Sequence, residues 1–120
     1  MKGYRDLLIW QKAMDLVEDV YRATKEFPNS EKYGLTNQIH RAAVSVPANI
    51  AEGSGREHPK ELIQFLAIAK GSLMEIETHL LIAERLGYLK EEKVNTLISQ
   101  SSEIARMTMG LIRSVRKRKN

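Results

Sequence analysis

Residues 41–56, RAAVSVPANIAEGSGR, decide how this chain is read, because a proline, an asparagine and a glutamate interrupt a run of small helix-compatible residues. Pro47 removes one amide donor and leaves the Ala43 carbonyl without its usual partner, a cost of about 3 kcal/mol in a regular helix. On a helical wheel, Ile39, Ala42, Ala43, Val46, Ile50 and Gly53 form one core stripe. Beside it runs a polar line of Gln38, Arg41, Ser45, Asn49, Glu52 and Arg56. The remaining arc, His40, Val44, Pro47, Ala48 and Ala51, is again mostly apolar and small. A single bundle covers only one of the two apolar arcs. The second predicts a contact with another copy, built from His40, Val44, Ser45, Pro47, Ala48, Asn49, Ala51 and Glu52. Within it Glu52 needs a donor, Arg41 or Arg56, since a lone buried charge is costly. The competing reading is a bent core helix in a monomer, with Glu52 in water.

Outward from this stretch the chain divides into four helical segments. The first spans about Asp6 to Glu26, with Trp10, Ala13, Met14, Val17, Val20 and Tyr21 at helical spacing, and FPNS stops it. The second spans about Glu31 to Ser54, with Asn29 and Ser30 as capping candidates. Pro59 suits the first position of the third, whose stripe is Leu62, Leu66, Ala69, Leu73, Ile76, Leu80 and Ala83, and Gly87 is the expected left-handed stop. The fourth carries Val94, Leu97, Ile98, Ile104, Ala105, Leu111, Ile112 and Val115 from about Lys90 onward. No segment alternates like a strand. Short connections predict an all-α, antiparallel up-down-up-down four-helix bundle, one domain over residues 1–120 with a basic C-terminal tail at 113–120.

Composition narrows the function classes. The 120 residues contain no cysteine, which removes disulfides, zinc–thiolate sites and thiol catalysis and suits a cytoplasmic protein. Neither a membrane span nor a signal peptide is expected. The net charge is +4, and five of its cations, Arg113, Arg116, Lys117, Arg118 and Lys119, sit in the last eight residues; the rest of the chain holds 14 bases against 15 acids. Such a block attracts RNA, DNA or an acidic membrane. Arg41, Arg56 and Lys60 are further candidates for nucleic-acid contact.

The segments EKYGLTNQIHRAAVSVPANIAEGSGR and FLAIAKGSLMEIETHLLIAERLGYL closely resemble the four-helix bundle proteins known as 23S ribosomal RNA intervening-sequence proteins. The match runs from DLLIWQKAMDLVEDVY to Tyr88 and includes Pro47, Asn49, Ala51, Glu52 and Gly53, then Gly71, Ser72 and Glu75. The resemblance implies a ring-like homopentamer. The family's founding members are encoded within bacterial 23S ribosomal RNA genes, and relatives include the accessory variability determinant of diversity-generating retroelements. Those relatives imply RNA or DNA as partner, with a reverse transcriptase or a ribosomal component as further partners. No catalytic or ligand residues transfer from the family.

Catalytic signatures are lacking. No histidine follows a glutamate by three residues, as a di-iron bundle needs, and Glu75 with His79 reads as a surface or interface pair. No arginine precedes a histidine by four to six residues, the spacing of helical ribonucleases. The GSG at residues 53–55 is neither a nucleophile elbow nor a phosphate loop, but a helix-terminating hinge. The aromatics and Met74, Met107 and Met109 read as core fillers. The sequence therefore predicts a non-enzymatic, cofactor-free oligomer that binds nucleic acid through its basic end. A protein-interaction scaffold that recruits a polymerase is the alternative.

Overall fold

The computed structural model describes residues 3–119. It contains four helices, α1 (Leu8–Ala23), α2 (Leu35–Ser54), α3 (Pro59–Arg85) and α4 (Glu91–Lys119), and no strand among the described residues. The helices pack in cyclic order, α1 on α2 and α4, α3 on α2 and α4, in a body of 48 × 22 × 20 Å. No helix of the described residues is long and apolar enough to cross a membrane.

Local chemistry explains the boundaries. α1 ends at Ala23 and tightens into a 3-10 turn, Thr24–Glu26, before Pro28 forbids continuation. α2 starts at Leu35, later than the sequence suggested, and neither Asn29 nor Ser30 caps it. Its N-cap is Gly34, which has no side chain to offer, so the Leu35 amide donates to the Glu31 carboxylate at 2.9 Å. Glu31 also accepts from the Tyr88 hydroxyl at 2.8 Å, tying the start of α2 to the α3–α4 turn. Both bonds favour the carboxylate and hold its pKa below the usual range, the backbone bond most. Pro59 occupies the first turn of α3, and Gly87 ends it at φ +78°. There the Tyr88 amide reaches the Ala83 carbonyl and the Gly87 amide that of Glu84, a Schellman closure.

The core stripes of α2 and α3 are as read from the sequence, apart from a half-buried Leu62. On α1 the inward phase is Ile9, Ala13, Leu16, Val20 and Ala23, so Met14 and Tyr21 face out at 38% and 41% exposure. Met74 is likewise exposed rather than filling a gap. His79 is buried, not on the surface, and neither ring nitrogen is hydrogen-bonded to the protein.

Candidate nucleic-acid and assembly surfaces

The residues 41–56 now have their partners. Gly53 lies against α3 so closely that a Cβ there would stand 2.8 Å from the Phe65 Cβ and 3.1 Å from a Leu62 methyl. Only glycine permits that approach. About two turns earlier on α2, the Ser45 hydroxyl accepts from Ser72 of α3 at 2.9 Å, and Asn49 donates to both the hydroxyl and the carbonyl of Ser45. These small polar side chains bond between and within the two helices of one protomer. Pro47 is buried inside the protomer. His40, seven residues before it and hence on the same side of α2, touches Thr24 of the turn after α1 and Tyr21 of α1, so this side faces α1. Glu52 is exposed and takes Arg56 as its donor at 2.8 Å; Arg56 also reaches Glu61 at 3.7 Å and lies over the Phe65 ring. Arg41 is exposed and makes no ion pair among the described residues.

His40 is half-buried and stacks on Tyr21, ring centres 3.7 Å apart and 10° from parallel. The Thr24 hydroxyl donates its single proton to the Tyr21 carbonyl at 3.0 Å, so its 2.7 Å contact with His40 requires a proton on Nε2 of the imidazole. Burial lowers the pKa of His40, which favours that neutral form. With Asn37, Arg41, Val44 and Ser45 these rings line an open groove of about 390 Å³.

Two apolar faces remain uncovered. One combines Met14 and Tyr21 of α1 with Val44 and Ala48 of α2 and half-buried Ala51. The other is the outer side of α3, where Ile68, Met74, Leu81 and Ile82 are 40–50% exposed and Leu86, just beyond the helix, 54%. α3 thus carries an inner apolar stripe and, on its outer side, a second set of exposed apolar residues interspersed with exposed Gln64, Glu75 and Thr78. Sequence reading found its inner stripe and passed over this outer one. The signal was present in Ile68 and Leu81, which lie off that stripe. Gly71 stands on the same side, and a Cβ there would meet nothing within 4 Å.

The stretch read as a basic tail is the last turns of α4. Ile112 and Val115 are buried, while Arg113, Arg116, Lys117 and Arg118 point to solvent; the side chain of Lys119 lies outside the described residues. From Ile104 to the end the sequence contains no acid. None of these four cations forms an ion pair among the described residues. Arg118 meets Arg56, His58 and the acid Glu57 around a cleft of about 280 Å³ at the α2–α3 turn. Lys60 is exposed one residue into α3. Between α3 and α4 lies a second groove, of about 430 Å³, lined by Lys70, Ala105, Arg106, Met109 and Arg113. Lys70 and Arg106 escaped the sequence reading, because only packing brings them together. No three His, Asp or Glu residues cluster for a metal among the described residues.

A protein-family model described as 23S rRNA-intervening sequence protein matches residues 5–110. Among solved structures, a protein of unknown function from the S23 ribosomal protein family of Bacteroides thetaiotaomicron superposes with a TM-score of 0.81. It is 23% identical, over 88% of this chain and 98% of the other, and it establishes likeness of fold. Curated proteins yield no match.

Proposed function

The chain belongs to the 23S rRNA-intervening sequence protein family, and from that premise we propose that it is a non-enzymatic, homo-oligomeric accessory factor that binds RNA. The acid-free end of α4 carries the reading, with Arg113, Arg116, Lys117 and Arg118 exposed and unpaired among the described residues. Such a surface neutralises phosphates and releases their counterions, giving salt-sensitive, sequence-tolerant affinity. Up-down-up-down topology is supported by residue pairings. Lys12 meets Glu103 and Asp19 meets Gln100, so advancing along α1 retreats along α4.

Assembly is supported by the two uncovered apolar faces. They are different surfaces, one on α1 and α2 and one on α3. Contact between unlike faces of identical chains is head-to-tail, and such contacts close into rings when the rotation allows. A pentamer is the ring proposed, and five copies would multiply the basic ends on one particle, raising avidity through effective concentration.

Light scattering behind size exclusion, alone and with mixed RNA at two salt concentrations, tests both parts. The expected result is a particle near five times 13.7 kDa that takes up RNA at low salt and releases it at high salt. An oligomer indifferent to RNA would replace this reading with a protein-interaction scaffold. A monomer would refute assembly.

A further inference from the structure

The groove between α3 and α4 has cations on both walls, an apolar floor and, unlike the cleft at the α2–α3 turn, no acid in its lining. Lys70 stands on α3, Arg106 and Arg113 on α4, and Ala105 and Met109 lie between them. Arg106 and Arg113 are seven residues apart, about 10.5 Å along the helix and on one side of it. Gly110 falls between them on that side, at four and three residues' distance. A Cβ at Gly110 would meet only the far end of Arg113, at 4.0 Å, so the backbone of α4 lies bare beside the groove. A mid-helix glycine costs up to about 1 kcal/mol relative to alanine, and no packing within the protomer requires it here.

The acids nearest in sequence are engaged elsewhere or displaced. Glu103 is bound to Lys12 of α1, and Glu61 to Arg56 at the α2–α3 turn. Glu75, five residues beyond Lys70, falls about 140° round α3 from it, and Glu77 lies seven residues beyond, toward the opposite end of α3 from Pro59. The groove therefore continues the acid-free segment of α4 beyond Glu103 along the side of the bundle.

We infer that a single RNA strand runs along this groove, its phosphates held by Lys70, Arg106 and Arg113 and its bases lying against Met109 and Ala105. The inference rests on the RNA reading above and adds the strand's state and path. A strand exposes both phosphates and base faces, matching charged walls and an apolar floor. A duplex hides its base faces and would leave the apolar floor of Ala105 and Met109 without a partner.

The test is fluorescence anisotropy on the full chain, with a labelled single-stranded RNA of mixed sequence and with the same RNA annealed to its complement, across a salt series. Lys70→Gln with Arg106→Gln removes two groove cations. Lys32→Gln with Lys93→Gln removes the same charge far from the groove, and circular dichroism checks that both remain helical. For the groove pair, the slope of log affinity against log salt falls by about 1.4 and single-strand affinity drops about tenfold. The control pair changes affinity less than twofold. Equal losses from both pairs, no loss from the groove pair, or duplex binding as tight as single-strand binding would each overturn the groove while leaving RNA binding intact. Failure of the unsubstituted chain to bind any RNA would overturn the functional reading itself.

Discussion

The seam between α2 and α3 and the seam between α3 and α4 share a helix, yet they are built on opposite principles. Along the first, Gly53 and the serines at 45 and 72 bring two helices close, and Ser45, Asn49 and Ser72 find hydrogen-bond partners within the chain, while His79, seven residues beyond Ser72, has none among the described residues. Along the second, long cations and Met109 hold a groove open and leave charge without counter-charge. Residues unusual for their sequence context explain packing; residues ordinary for a helix surface carry the charge. The conspicuous motif thus marks where two helices of the chain meet, and unremarkable positions mark where charge is left exposed.

The contrast is broken most directly at its glycines. Gly53→Val places carbon where Phe65 and Leu62 already stand, and is expected to destabilise the fold by about 3 kcal/mol, read as a lower urea midpoint. A midpoint unchanged by Gly53→Val would show that the first seam is loose. Ser72→Ala deletes the donor to Ser45 and is expected to cost about 1 kcal/mol in the same titration. At Gly110, by contrast, alanine meets open space, so Gly110→Ala should stabilise the chain by about 0.5–1 kcal/mol. A loss at Gly110 would mean that the second seam is as tight as the first.

The smallest expected effect sharpens the comparison at the far end of α2. Glu31 has a depressed pKa in the folded chain, so its contribution is full above the unfolded value near 4.5 and is lost as pH falls through the folded one. Glu31→Gln should therefore flatten the acid limb of stability against pH below about 4.5, with little change in shape near neutrality. An acid limb identical in both proteins would show that the links to Leu35 and Tyr88 do not matter.

Much of the fold was legible because periodicity encodes it: the helices, the stop at Gly87 and the inner stripes of α2 and α3 all follow from spacing. The phase of α1 was not, since Met14 and Tyr21 are as apolar as the residues that turn inward, and only the positions of α2 and α4 choose between them. Pro47 was assigned to an outer arc because a wheel does not show which flank a neighbour covers. The basic end was visible as a run of letters. The groove was not, for Lys70 and Arg106 are 36 positions apart and each is unremarkable alone. The absence of any acid beyond Glu103 was the one clue to it.

The helical state of residues 113–118 bears on the calorimetry of binding. A disordered basic segment that folds onto RNA pays about 1–2 kcal/mol per residue to fix its backbone, and shows a large heat-capacity change as it does so. Here Ile112 and Val115 have already anchored that stretch to the bundle. On the proposed reading RNA would meet cations whose spacing is set in advance, and the association should carry a small heat-capacity change and an entropy dominated by released counterions.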